Sequence, residues 1–240
     1  MNSFLEKIVR RVFLRGSQDG YSQFGEDLII SHLFSALGIG HPTYLDIGAN
    51  HPKFISNTYY FYQRGSRGVL VEPNPQLSKR LRVARPRDVV LEVGIGANSG
   101  PHADLYIFPG HFDGLSTFSK SEAAHWETVG MKGHGRIAVD TVIRVPIVSV
   151  NEVIASHFGG RAPNLLSLDI EGKDLEVLMS LDFERFAPDV ICVESLSYDK
   201  NQNGFKRTDI IEFVLTKDYE TYADTRVNTI FCKRTVARSG

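Results

Sequence analysis

The residues of this 240-residue chain best placed to do chemistry are Asp46, Gly48, Asn50 and Glu72, two acids about one helix apart with a glycine turn after the first. Thr43-Tyr44-Leu45-Asp46-Ile47-Gly48-Ala49-Asn50 reads as a strand ending in an acid-x-Gly turn. Val69-Leu70-Val71-Glu72-Pro73-Asn74-Pro75 reads as a second strand ending in a carboxylate. The pair has the βαβ layout of a nucleoside-cofactor site. A carboxylate at the end of the second strand can accept hydrogen bonds from both hydroxyls of a ribose, and Gly48 lets the first turn run close against the ligand.

The turn also says which cofactor is excluded. A dinucleotide needs G-x-G-x-x-G, so that a pyrophosphate can sit on amides at a helix start, but here Asn50, Pro52 and Lys53 follow Gly48. A bulky turn suits a cofactor without phosphates, and S-adenosylmethionine fits: its sulfonium and amino acid groups call for polar side chains and carbonyls. Methyl transfer is an in-line displacement that also needs a base for the acceptor proton. Candidates are Asp169, His51, Glu194, His134 and Glu171, with Asp169 first because it ends the fourth strand beside the expected methyl position. Asp169 and Glu194, at the ends of adjacent strands, could also share a divalent cation such as Mg²⁺. The other histidines of the same region, His102, His111 and His125, lack close metal-ligand spacing.

Positioning these residues requires alternating strands and helices, hence a parallel sheet flanked by helices. The pattern predicts helices over residues 23–37, 57–64, 76–85 and 209–216. It predicts strands over 44–47, 68–71, 89–93, 165–169, 190–194, 219–224 and 229–233, the last two antiparallel. Gly94-Ile95-Gly96 reads as a bare turn able to approach an adenine face. Between Pro101 and Ser149 the pattern changes to short alternating runs, Ala103 to Phe108 and Ile137 to Val148, around a Gly-rich stretch. That predicts an inserted β-hairpin with a mobile loop, a place where specificity usually resides. The fold class is α/β: a Rossmann-like, doubly wound, seven-stranded sheet, mostly parallel with a C-terminal antiparallel hairpin. A β-rich insertion and an N-terminal amphipathic helix are added to it. Residues 1–20 form helix and hinge, and 21–240 one catalytic domain with the insertion at about 101–149.

Five motifs in order carry a resemblance: Tyr21-Ser22-Gln23-Phe24-Gly25-Glu26-Asp27, Leu45 to Asn50, Val71 to Pro75, Gly114-Leu115-Ser116-Thr117 and Leu166-Ser167-Leu168-Asp169-Ile170-Glu171-Gly172. Together they resemble FkbM-type methyltransferases, from about Tyr21 to Glu194. The resemblance implies S-adenosylmethionine-dependent O-methylation of a hydroxyl on a sugar, glycolipid, polysaccharide or related natural product. It implies cofactor contacts from Gln23, Asp46, Gly48, Asn50, Glu72, Asn74 and Ser116, to which the strand-end reading adds Gly94 and Asp169. The chain departs from the commoner pattern at His51-Pro52-Lys53 and at Lys173-Asp174, which bears on the acceptor more than on the cofactor.

Composition excludes several alternatives. A hydrophobic fraction of 42%, 23% charged residues and a net charge of −1 describe an ordinary soluble domain with no global field for nucleic acid. A nucleic-acid methyltransferase would carry an N/D-P-P-Y/F motif where this chain has Asp169-Ile170-Glu171-Gly172. The missing glycines weigh against a nicotinamide-dependent oxidoreductase; a non-catalytic cofactor-binding module is the remaining rival. Cys192 and Cys232, both in apolar runs, suit reduced core thiols of a cytoplasmic protein. Residues 3–15 alternate apolar and basic positions at helical spacing and read as a helix for packing on this domain, on the partner of a homodimer, or on the inner face of an anionic membrane.

Overall fold

Short apolar runs punctuated by Gly, Pro and Asp set the sheet. A computed structural model of the chain describes residues 20–131, 134–170, 172–198 and 203–234. The helix expected over 3–15 lies outside the described residues, as does Glu171. In chain order the elements are α1 (Glu26–Ala36), β1 (Tyr44–Ile47), α2 (Tyr59–Gln63), β2 (Gly68–Val71), α3 (Pro75–Ala84), β3 (Val89–Leu91), β4 (Gly94–Gly96) and β5 (Gly100–Ile107). There follow α4 (Lys120–Thr128), β6 (Thr141–Ser149), α5 (Val150–His157), β7 (Leu165–Leu168), α6 (Asp174–Ser180), β8 (Val190–Glu194) and β9 (Leu196–Tyr198). The chain closes with β10 (Gly204–Lys206), α7 (Thr208–Leu215), β11 (Tyr219–Asp224) and β12 (Asn228–Lys233).

The main sheet has seven strands in the order β11-β12-β8-β7-β1-β2-β3. Strand β1 pairs in parallel with both β2 and β7, in registers that bring Ile47 level with Val71 and Leu168. The chain therefore winds outward in both directions from β1, and the crevice over the carboxyl ends of β1, β2 and β7 is a topological switch point. Every residue of β1 and β7 is buried, as expected of parallel strands covered on both faces. Two layers provide that cover. Val150 and Ile154 of α5, Val177 and Leu178 of α6 and Ile210 and Val214 of α7 pack on one face. Ile30 and Phe34 of α1 pack with the aromatic run Tyr59 to Tyr62 of α2 on the other. Strand β12 runs antiparallel to both β8 and β11, which completes the predicted mostly parallel architecture.

Two expectations need correcting. Gly94-Ile95-Gly96 is not a turn but a strand, pairing in parallel with Ile147 to Ser149 of β6. Its glycine makes room for protein: a Cβ on Gly94 would lie 2.6 Å from both Ile147 Cδ1 and Phe118 Cζ. The insertion contains the predicted hairpin, β5 against β6, but the stretch between is folded rather than a bare loop. It holds a 3₁₀ turn (Gly110–Leu115) and α4, whose N-cap Ser119 accepts a hydrogen bond from the Glu122 amide. Phe108, Ala123 and Ile137 form its own small core, with Phe112, Leu115 and Trp126 packed against it.

Candidate functional site

Glu72, immediately after β2, is a buried acid of the crevice. Its Oε2 accepts the Asn50 amide at 2.9 Å and its Oε1 the Asn74 amide at 2.8 Å. The carboxylate thus ties the turn after β1 to the turn after β2. Burial raises its pKa to about 7 against the pull of those two amides, and the nearby charges of Asp113 and Asp46 push the same way. Asp113 enters from the 3₁₀ turn of the insertion, whose Gly114 comes so near Asn50 that a Cβ there would sit 3.6 Å from Asn50 Nδ2. The insertion therefore already forms one wall of the crevice.

Gly48 has φ +84°, and a Cβ on it would lie 1.8 Å from the carbonyl oxygen of Asp169. Its smallness is thus dictated by the neighbouring turn as well as by its left-handed backbone. Asp169 follows β7 and is exposed. Enclosure by the surrounding protein raises its pKa to about 7; Asp174 and Asp46 add repulsion, while a hydrogen bond with Glu194 acts in the opposite sense. Asp174 Oδ1 accepts the Ile170 amide at 3.1 Å and its Oδ2 the Gly172 amide at 3.2 Å, so Asp174, not Asp169, shapes this loop. A hydrogen bond between two carboxyl groups requires one of them to carry the proton, so the Asp169–Glu194 contact joins an acid to a base.

The methyltransferase FkbM domain model matches residues 46–221, from the acid in β1 into β11. The chain belongs to the FkbM methyltransferase family. It is a methyltransferase that depends on S-adenosylmethionine. Among curated proteins none matches it. Similar solved structures include a TehB-like SAM-dependent methyltransferase from Corynebacterium glutamicum (10% identity, 96% of each chain covered, TM-score 0.44). An O-methyltransferase from Bacillus cereus in complex with SAH is similar at 11% identity, covering 96% of this chain and 89% of that one, with a TM-score of 0.42.

In this FkbM methyltransferase the site residues expected from the sequence separate into groups. Asn50, Glu72 and Asn74 form one hydrogen-bonded unit, and Asn74 also caps α3 by accepting the Gln76 amide at 3.0 Å. Asp46 is buried beneath them, its Oδ2 accepting from Thr58 Oγ1, and burial raises its pKa. Ser116 Oγ donates to the Asp113 carbonyl and closes the 3₁₀ turn. Gln23 is exposed on the turn entering α1, while Gly94 lies under Ile147 and Phe118. His51 is exposed, and its Nδ1 accepts the amides of Lys53 at 3.2 Å and Phe54 at 2.9 Å. His134 is exposed and meets Phe112 edge-on at 5.5 Å.

Among the described residues no group of three or more His, Cys, Asp or Glu is arranged to hold a metal, and the Asp169–Glu194 pair hydrogen-bonds to itself. Likewise no helix there is long and apolar enough to cross a membrane. The sequence assigned no role to Asp113, to Asp174, which it marked only with Lys173 as a departure from the family pattern, or to the buried Arg85. The first sits in a D-G turn and the second at a helix start, both legible as turn chemistry. Nothing local announces that Arg85 is buried.

Proposed function

We propose that this enzyme methylates a hydroxyl oxygen, on a sugar, glycolipid, polysaccharide or related natural product, with Asp169 as the general base. The observation that carries this reading is the Asp169–Glu194 pair. A carboxylate whose pKa is raised to about 7 can take a hydroxyl proton near neutrality, and Glu194 can redistribute it. An amine or carbon acceptor would make different demands. The first gives up its proton readily after transfer and the second needs a stronger base.

The donor set fits S-adenosylmethionine. The crevice is lined by Glu72, Asp113 and Asp169 over buried Asp46, a field suited to a cationic cofactor without phosphates. Glu72 would take the ribose hydroxyls with the lone pairs its two backbone bonds leave available. Asn50 and Asn74 would orient the nucleoside, and Asp169 and Asp113 would face the cationic part. When bound, the cofactor supplies an electrophilic methyl group. Asp169 then holds the acceptor hydroxyl by a hydrogen bond and removes its proton, and the wall formed by Asp113 and Gly114 restricts water. Buried, unpaired Cys192 and Cys232 suit a reducing, cytoplasmic setting.

The test is a screen of hydroxylated glycans and lipid-linked sugars with cofactor carrying an isotopic methyl, read by mass spectrometry. Label recovered as an alkali-stable ether supports the reading. Transfer only to amines or carboxylates overturns it.

A further inference from the structure

Behind the cofactor turn lies a buried polar chain that the methyl-transfer reading leaves unused. Arg85, the C-cap of α3, is fully buried. Its Nε donates to Asp88 Oδ2 at 2.8 Å, closing an ion pair whose two side chains are all but inaccessible. Its Nη1 donates to Thr58 Oγ1 at 3.0 Å and to Ser56 Oγ at 3.4 Å, and Thr58 Oγ1 donates onward to Asp46 Oδ2 at 2.5 Å. The rings of Tyr44, Tyr59 and Tyr62 stand 5.3, 6.0 and 5.2 Å from the guanidinium carbon. Among the described residues Arg85 Nη2 has no hydrogen-bond partner.

Stability alone explains this arrangement poorly. Burying a guanidinium with one donor unmatched costs more than filling the same space with apolar side chains, so such groups are expected where they do a further task. Thr58 points the same way. It occupies the N-cap of α2, yet its hydroxyl makes no capping bond and turns to Asp46 instead. The segment between is strained: Asn50 and Ile55 have φ of +45° and +54°, and a β-branched residue rarely adopts that conformation. Phe54 and Ile55 are held exposed. Strain of this kind persists only where the ends are fixed. Glu72 fixes the leading end through the Asn50 amide, and Arg85 fixes the trailing end through Ser56 and Thr58.

We propose that Arg85 and Thr58 are positioning residues for the cofactor turn: the Arg85–Thr58–Asp46 relay clamps the trailing end of residues 50–58 so that Asn50 keeps its amide on Glu72. The proposal rests on the reading of Glu72 as the ribose carboxylate. Neither residue touches the cofactor.

The test compares Thr58→Val, which keeps the shape and deletes the hydroxyl, with Thr58→Ser, which keeps the hydroxyl. Affinity for S-adenosylmethionine is measured by calorimetry well below the melting temperature, and amide exchange at Asn50 is measured without ligand. Thr58→Val should bind about tenfold more weakly and exchange Asn50 faster, with Thr58→Ser within about twofold of wild type on both. Arg85→Lys keeps the charge but not the reach, should behave like Thr58→Val, and carries the test if Thr58→Val does not fold. Wild-type affinity and wild-type Asn50 exchange in these variants, with only the melting temperature lowered, would overturn the proposal. If the wild-type protein fails to bind S-adenosylmethionine while Asn50 exchange still responds to Thr58→Val, the relay stands and the reading of Glu72 falls.

Discussion

Glu72 and Asp169 end the two strands that flank β1, and both have pKa values raised to about 7, but for different reasons. Glu72 is buried and held on both oxygens by backbone amides; its neighbours restrain it in one geometry. Asp169 is exposed, is crowded by other carboxylates, and hydrogen-bonds with Glu194. The first arrangement suits holding a ligand. The second suits moving a proton. Equal pKa values can thus conceal unlike roles, and the partners on each oxygen are what separate them.

The strongest way to break this contrast is Asp169→Asn, which keeps the shape and removes basicity. The methylation rate should fall by about 10² or more, with cofactor affinity changed less than tenfold. A wild-type rate would move the base elsewhere and reduce Asp169 to a structural acid. Glu72→Ala should do the reverse. Leaving two ribose hydroxyls unpaired should weaken S-adenosylmethionine binding about tenfold or more, roughly 1.5–3 kcal/mol by calorimetry, while the rate at saturating cofactor changes less. Unchanged affinity would remove Glu72 from the ribose.

Titration sharpens the comparison further. The rate should rise with pH through an apparent pKa near 7 as Asp169 loses its proton, and Glu194→Ala should move that limb upward, because the hydrogen bond from Glu194 favours the Asp169 carboxylate. A limb that stays in place would uncouple the pair. Stability should run the opposite way. Folded Glu72 keeps its proton up to about pH 7, whereas unfolded it would release it near 4.5. Its contribution to stability is therefore fully present below about 4.5 and is lost as pH rises through 7. The difference in melting temperature between wild type and Glu72→Gln should accordingly depend on pH across that window; a constant difference would contradict the assignment. The smallest effect is expected in the insertion. Amide exchange over residues 110–118 should slow when cofactor and acceptor are both bound, and equal exchange in all states would show that the wall does not respond to ligands.

Sequence alone determined the sheet. Tyr44–Ile47, Gly68–Val71 and Val190–Glu194 fall where the apolar runs place them, because central strands need continuous hydrophobicity and the bounding Gly, Pro and Asp leave little choice of ends. It also placed Glu72 and Asp169 at strand ends, since a motif at the end of a run carries its own position. Only the tertiary structure decided what surrounds them. Gly94-Ile95-Gly96 looks like a turn until Ile147 packs across it, and that the Asp169 carbonyl lies against Gly48 is visible only in the fold. Arg85 follows a helix, and Asp88 encloses it together with Thr58 and three tyrosines from distant parts of the chain. The physical reason is that strand propensity is written within a few consecutive residues. Burial of a charge depends on partners tens of residues away, brought together only by the completed fold.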